Sequence, residues 1–374
     1  MSKLNELIQQ LCPNGVEWKP LGEVCTFQRG QTITAKDTSG GDIPVIAGGQ
    51  KPAYYHNIAN RTGKTITVAG SGAYAGYVAY WEIPIFVSDA FTIKPNNESL
   101  DIRYLFYFLK NIQDKIYGTK KGHGVPHVHA TSINHFEIPL PPLPVQEEIV
   151  RILDKFIEFI EKQKEELNIR KEEYTYYVNH FLTFDSARTD VEWKTLAECC
   201  CLEKGSTPIQ KAISGEYPLV VTSSLRKCCN TYQFDKPSVC VPLVSSRGHG
   251  VASLNQVYFQ EGKFALGNIL CAVTPKVENL TARYLYYYLN TYKDIKIVPL
   301  MTGGANVSLT VKKLSTVKIC YPCKSEQQRI VDILDRFEKL TNDMTEGIPA
   351  EIETTQQMYE YYRNQLLDFK KKEK

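Results

Sequence analysis

One stretch, present twice, does most to limit what this chain can fold into. Gln146-Glu147-Glu148-Ile149-Val150-Arg151-Ile152-Leu153-Asp154-Lys155-Phe156 returns as Glu326-Gln327-Gln328-Arg329-Ile330-Val331-Asp332-Ile333-Leu334-Asp335-Arg336-Phe337. Each copy follows a proline-containing segment and opens a long run that begins without glycine or proline. Apolar or aromatic residues recur in steps of four and three at Ile149, Leu153, Phe156 and Ile160, then at Leu167, Tyr174, Tyr177 and Phe181. Gln163 and Arg170 fill the two remaining positions of the stripe. A heptad stripe sustained this long predicts a coiled-coil helix. From Val145 to Phe181 it would span roughly 55 Å, at about 1.5 Å per residue.

The duplication extends to the whole chain. Val16-Glu17-Trp18-Lys19 recurs as Val191-Glu192-Trp193-Lys194, and Arg103-Tyr104-Leu105-Phe106-Tyr107 recurs as Arg283-Tyr284-Leu285-Tyr286-Tyr287. Each half is therefore one globular segment followed by one long helix. The expected boundaries are 1–140 for a first globular domain, 141–185 for a linker and first spacer helix, 186–322 for a second domain, and 323–374 for a second spacer helix. Within a globular half, short β-rich segments such as 64–69 and 83–87 are bounded by Gly, Pro or Asn. A single clear helix, 100–111, accompanies them. The expected fold is α+β, with a twisted antiparallel sheet in each of two tandem domains and a pseudo-two-fold internal repeat. The two long helices should form a coiled coil.

The second stripe departs from the first. It runs Ile330, Leu334, Phe337, Thr341, Met344, Ile348, Ile352, Thr355, Tyr359, Tyr362, Leu366, with two successive steps of four between Met344 and Ile352. Those extra residues imply either a stutter in a continuous helix or, because Gly347 and Pro349 fall there, a kink or break. The short helix 4–11 ahead of Val16 stands where 174–184 stands ahead of Val191. It is expected to pack beside the end of the second long helix.

Charge is segregated along the chain. Residues 1–140 hold 13 Lys and Arg against 11 acids, and 186–325 hold 17 against 9. The helical stretches 145–185 and 326–374 hold 6 against 10 and 8 against 11. Basic globular parts on acidic spacers suit a polyanionic ligand at the domains and protein partners at the helices. No membrane span or signal segment is expected, and the 11 cysteines, clumped without paired spacing, read as free thiols of a cytoplasmic protein.

Catalytic patterns are missing. The Pro-Pro of Leu140-Pro141-Pro142-Leu143 lacks the acid or amide and the aromatic residue that hold a flipped adenine. Gly70-Ser71-Gly72 and Gly303-Gly304 lack the lysine of a phosphate-cradling loop. Cys320-Tyr321-Pro322-Cys323 has no second pair for zinc, and His123, His127 and His129 have no adjacent Cys or carboxylate. No metal, cofactor or catalytic residue is expected.

Side chains suited to reading bases are present on glycine-rich loops. In the first half they are Gln28, Arg29 and Gln31, then Gln50, Lys51 and Tyr54, then Lys120, Lys121 and His127. The counterparts in the second half are Lys204 and Ser206, then Ser223, Arg226 and Lys227, then Arg247 and Asn306. Arg pairs bidentately with guanine and Gln with adenine, while Lys, Ser and Thr suit phosphates. The helix-opening motif changes little between halves and the loops change much, as expected of one scaffold reading two different things.

Over its whole length the chain resembles the specificity subunit of type I restriction-modification systems. The resemblance is carried by Pro141-Pro142-Leu143-Pro144-Val145-Gln146-Glu147-Glu148-Ile149 with Ile152-Leu153-Asp154, and by its echo from Glu326 to Asp335. The openings Val16-Glu17-Trp18 and Val191-Glu192-Trp193 add to it, as do 49–55 and Gly124-Val125-Pro126-His127-Val128. It implies a subunit without catalytic activity in which each target-recognition domain reads one half of a split, asymmetric duplex DNA target. It also implies that the two long helices pair antiparallel, set the gap and dock two methyltransferase subunits, to which restriction and translocase subunits are added. Ile149, Leu153, Phe156, Ile160, Leu167, Ile330, Leu334, Phe337 and Tyr362 would form the coiled coil and its docking platform. Two other readings stay open: a related system that cuts on both sides of its site, and a coiled-coil scaffold that reads no DNA. The second half has Gly304-Ala305-Asn306-Val307-Ser308 in place of the Val-Pro-His loop, so the resemblance says least there.

Overall fold

The computed structural model describes residues 2–372 apart from Ser39, His123, 185–189, Lys211, 224–226 and Met344. The expectations that rest on His123, Arg226 and Met344 therefore lie outside the described residues. The chain forms two compact units, Met1–Lys164 with Glu351–Lys374, and Glu165–Ala350.

In the first unit, strands Cys25–Arg29, Ala90–Pro95, Thr65–Ala69 and Val78–Trp81 form an antiparallel sheet in that order. Successive strand residues point to opposite faces, so Ile66, Val68, Phe91 and Ile93 share one core. The helix Ile102–Asn111 adds Tyr104, Leu105, Tyr107, Phe108 and Leu109 to it. Asp101 caps that helix, accepting from the N–H groups of Arg103 and Tyr104 at 2.8 Å. A second sheet joins Tyr54–His56, Ile43–Ile46 and Phe86–Val87, and its last pair is parallel. This departs from the purely antiparallel expectation. The partner strand arrives after a long crossover through the other sheet, which permits parallel pairing. Strand Glu17–Pro20 pairs with Glu137–Leu140, closing the globular part at the point where the long helix begins.

The second unit repeats this plan strand for strand. Cys200–Lys204, Leu270–Pro275, Ser238–Pro242 and Tyr258–Gln260 form the antiparallel sheet. Lys227–Cys229, Tyr217–Val220 and Ala265–Leu266 form the mixed one, and Val191–Thr195 pairs with Lys318–Pro322.

The first long helix, Leu143–Leu182, is continuous over 40 residues, about 60 Å at 1.5 Å per residue. In the first unit it runs antiparallel to Ile348–Leu366. Phe156 lies 6.4 Å from the Tyr359 ring and 5.5 Å from Tyr362, while Ile149 and Leu153 share the core with Leu366. In the second unit it runs antiparallel to Lys324–Asn342, with Phe337 5.3 Å from Tyr177 and the Arg329 guanidinium 5.0 Å over Phe181. Ile149, Leu153, Ile160, Ile330 and Leu334 are buried, and Phe156, Leu167, Phe337 and Tyr362 are half-buried. Arg170 turns to Glu173 at 2.9 Å, while its Nε and the Oε1 of Gln163 are buried without a hydrogen-bond partner.

The second long helix is broken. It stops at Asn342 and restarts at Ile348, so the extra residues leave the helical ladder as a turn. The Asp343 carboxylate organises the turn by accepting from the Thr345 N–H at 2.7 Å and its hydroxyl at 2.6 Å. A Cβ on Gly347 would stand 2.6 Å from the Lys339 carbonyl oxygen and 2.7 Å from that of Asp343. Only glycine fits there.

The amino-terminal helix Ser2–Leu11 packs where the repeat places it. Leu4 is buried with Leu366 and Leu367. The Val16 N–H donates to the Lys370 carbonyl, and the Lys372 N–H to the Val16 carbonyl, both at 2.9 Å.

Candidate nucleic-acid interface

Each globular part is fastened to its helix by the same two devices. Gln146, fully buried, opens the long helix and faces the start of the helix Ile102–Asn111. Its Oε1 accepts from the Asp101 N–H at 2.8 Å, and its amide donates to the Ser99 carbonyl at 2.9 Å and the Pro141 carbonyl at 2.7 Å. Gln327 repeats this in the second unit. It accepts from the Thr281 N–H at 2.9 Å and donates to the Asn279 and Pro322 carbonyls at 2.7 and 2.8 Å. Both glutamines are fully buried, and in each set the three bonds satisfy an amide that water cannot reach.

The second device is an arginine clamp. Arg103 donates through Nε to Asp154 at 2.9 Å, Tyr107 donates its hydroxyl to the same carboxylate, and the guanidinium lies 4.5 Å over Tyr80. In the other half, Arg283 reaches Asp335 at 2.8 Å and Glu338 at 2.7 Å over the rings of Phe259, Tyr286 and Tyr287. Burial opposes the charge on Arg283, but Asp335, Tyr287 and Glu338 raise its pKa above the ordinary value. Neither device was singled out from the sequence. The repeated Gln and the repeated Arg-x-x-x-Tyr with Asp were the available signal, since long-range pairing has no local signature.

Three loops converge in the first unit. The hairpin 121–127 closes through paired Lys121 and His127, at 2.9 and 2.8 Å. The turn 70–72 joins it, with the Gly72 N–H donating to Pro126 and the Val128 N–H to Gly70. Gly48 in turn packs so tightly on Ser71 that a Cβ would come within 2.2 Å of its carbonyl oxygen. This brings the 47–53 loop, carrying Gln50 and Lys51, beside the hairpin. Arg29 and His127 line one cleft with Asp89, Phe91 and His129, and Ser71 hydrogen-bonds the Asp89 carboxylate. Gln31 follows Gly30, whose close approach to the Ser88 carbonyl leaves no room for a side chain. Gln28, one residue before Arg29, lines a different groove on the sheet. Tyr54 and Lys120 have structural bonds instead of free tips. The Tyr54 hydroxyl donates to the Ile33 carbonyl at 2.5 Å, and Lys120 Nζ donates to the Ala73 carbonyl at 3.2 Å while lying 4.4 Å over Tyr117.

The second unit builds the same loop cluster from different residues. Thr302 and Ser308 close a hairpin as Lys121 and His127 do, at 2.8 and 2.9 Å. Gly303 takes the positive φ of Gly122, +147° against +115°, and a Cβ on either would strike the carbonyl oxygen of Asn306 or Val125. Asn306 therefore stands where Val125 stands. The 245–253 loop packs on this hairpin, with the Ser245 N–H donating to Val307 and the Gly250 N–H to Ala305. Arg247 is exposed on that loop. Ser206 is held by Gln233, whose Oε1 accepts from its N–H and hydroxyl at 2.9 Å, while Gln233 Nε2 bonds the Lys204 carbonyl at 3.0 Å. Ser223 and Lys227 line a separate pocket with Gln256 and Tyr258.

Among the described residues no group of His, Cys, Asp and Glu is arranged to hold a metal, and no helix is long and apolar enough to cross a membrane.

The type I restriction modification DNA specificity domain matches twice, at residues 13–169 and 189–354. The specificity subunit of the type I restriction enzyme EcoR124I/EcoR124II of Escherichia coli is 29% identical over 421 aligned positions, covering 100% of this chain and 99% of that one. The crystal structure of the type I restriction-modification S subunit from M. genitalium has the same fold, with a TM-score of 0.64 at 16% identity over 94% of this chain and 96% of that one. A chain from a structure on complex assembly and conformational transition of the type I system gives 0.57 at 19% identity, over 95% and 98%. The chain belongs to the type I restriction-modification DNA specificity family. It is a specificity subunit of a type I restriction-modification system, a non-catalytic component.

Proposed function

We propose that this subunit reads a split, asymmetric duplex target, one half through residues 1–140 and the other through 186–322. Stretches 141–185 and 323–374 act as spacers. The observation that carries this is the pair of hairpins. Lys121–His127 and Thr302–Ser308 share one backbone design and differ in nearly every side chain, as two readers of different base sequences would. In the first domain Arg29, Gln31, Gln50, Lys51, Lys121 and His127 present guanidinium, amide, ammonium and imidazole groups around converging loops. Such groups pair with base edges and phosphates in the major groove. In the second, Lys204, Arg247 and Asn306 take that part, and Lys227 adds an ammonium group in the separate pocket of Ser223. A helix of about 60 Å exceeds one duplex turn of about 34 Å, which supports half-sites parted by an uncontacted gap.

The helices also suit docking of two methyltransferase subunits in the cytoplasm, one per repeat. Their outer faces are charged and solvated, as at Glu158 and Lys162, both about two-thirds exposed, and both helical stretches hold more acids than bases. The test is an exchange of residues 16–140 for those of another family member, followed by mapping of the methylated motif. One half of the motif should change and the other persist; a change in both halves refutes modular reading.

A further inference from the structure

The sheet of the first unit has a second face that the loop cluster does not use. Period-two alternation sends Thr26 and Gln28, Thr65 and Thr67, and Thr92 and Lys94 to the side opposite Ile66, Val68, Phe91 and Ile93. A wide groove runs there, lined by Thr26, Gln28, Arg61, Lys64, Thr92 and Lys94 among others, and no carboxylate lines it. Arg61 is half-buried in its wall, and each of its hydrogen bonds goes to a neutral acceptor. These are the Asn60 carbonyl at 2.7 Å, the Arg29 carbonyl at 3.1 Å and the Thr92 hydroxyl at 3.5 Å. Burial lowers its pKa from the ordinary value, and no neighbouring acid offsets that. A half-buried guanidinium and two exposed lysines facing only neutral groups have unmet attraction for an anion. The Arg61–Arg29 bond also makes this wall continuous with the cleft of Arg29 and His127.

The second unit shows what the same scaffold looks like without that property. Gln28 pairs with Thr92 across the strands, and at the same register Glu203 pairs with Ala272. Thr26 pairs with Lys94, and there Cys201 pairs with Thr274, whose hydroxyl bonds Ser238 at 2.7 Å. Arg61 bridges Ile85 as Phe234 bridges Phe264, and Phe234 is buried in an apolar cluster with Phe264, Leu266 and Leu270. An arginine, a lysine and a glutamine of one unit are thus a phenylalanine, a threonine and a glutamate of the other.

We propose that this face of the first unit docks the sugar–phosphate backbone of duplex DNA, and that the second unit has no such surface. The inference rests on the DNA-reading function proposed above and assigns it a one-sided phosphate contact. The side chains of Lys64 and Lys94 are exposed and make no hydrogen bond or ion pair among the described residues, so Lys64→Ala with Lys94→Ala leaves the fold intact. The test measures binding of the full chain, assembled with its methyltransferase subunits, to a duplex carrying the mapped motif and to an unrelated duplex across a salt series. Each phosphate contact adds about 0.9 to the slope of log K against log salt, so the double variant should be shallower by roughly 1.8. Between about 50 and 200 mM salt it should lose roughly tenfold less affinity than the wild type. Both duplexes should weaken by the same factor, because a phosphate contact carries no sequence information. An unchanged slope, in a wild type whose binding is salt-dependent, overturns the groove and leaves DNA reading intact. A loss confined to the motif duplex also overturns it, making the lysines base readers. A wild-type complex with no salt-dependent affinity sinks both proposals.

Discussion

Replacing Gln146 with leucine tests how the first unit is fastened to its helix. The substitution nearly preserves volume but strips partners from the Asp101 N–H and from the Ser99 and Pro141 carbonyls, which now bond the amide at 2.7–2.9 Å. Gln146 is fully buried, so water cannot replace it without opening the junction. A buried group left without its partner costs about 1–3 kcal/mol, and with the Ser99 carbonyl, on an exposed residue, at or below the low end of that range the three should cost roughly 4 kcal/mol together. At about 2–4 °C per kcal/mol for a unit of this size, the melting midpoint should fall by roughly 8–16 °C. The two units are followed separately by hydrogen exchange or limited proteolysis alongside the melt. Loss of protection should be confined to strands and helices of the first unit. Gln327→Leu should do the same to the second unit alone, because its three bonds there are equivalent. A midpoint within about 2 °C of wild type, or equal loss in both units, would refute this account of the repeated glutamine.

Other consequences can be measured on the same preparations. Arg29→Ala and His127→Ala, which line one cleft, should each weaken target binding by about 1–3 kcal/mol while changing affinity for unrelated duplex much less; equal losses on both would make them phosphate contacts. Gly347→Ala forces a methyl within 2.6–2.9 Å of three carbonyl oxygens and should cost about 1–3 kcal/mol, read as a lower midpoint for the second unit. Hydrogen bonds from Arg151, against burial and aided by Lys3, pull the Glu148 carboxyl from 4.5 down to about 2. Its stabilising contribution is present above 4.5 and lost as pH falls through about 2. Glu148→Gln should accordingly be less stable than wild type at neutral pH, and the gap should close on acidification. A gap that is constant with pH would show that the charge is not what matters.

Much of this architecture was legible before any coordinates. The heptad stripe from Ile149 to Phe181 predicted the 40-residue helix because a periodic apolar face is a local signal that packing only reinforces. Gly347 and Pro349 marked the place where the second helix parts. Sequence alone left stutter and break open, since the outcome depends on Asp343 capturing the Thr345 N–H and hydroxyl. The parallel pairing of Val45 with Phe86 was not foreseen, because partners far apart in the chain leave no trace in local pattern. Gln146 and Arg103 were hidden for a related reason. A glutamine and an arginine near helix starts look like surface residues until their distant partners are known. Loop residues fared unevenly. Arg29 and His127 meet in one cleft, whereas the Tyr54 hydroxyl is taken by a backbone carbonyl that no motif announces.

The central claim is that two different readers on one repeated scaffold select a split DNA target. The most direct measurement is methylome sequencing of a host expressing this chain with its cognate methyltransferase subunits, and of the same host without the chain. The account predicts a bipartite, asymmetric motif, methylated in both halves, that disappears when this chain is removed. A contiguous or palindromic motif, or one that persists without the chain, would contradict it.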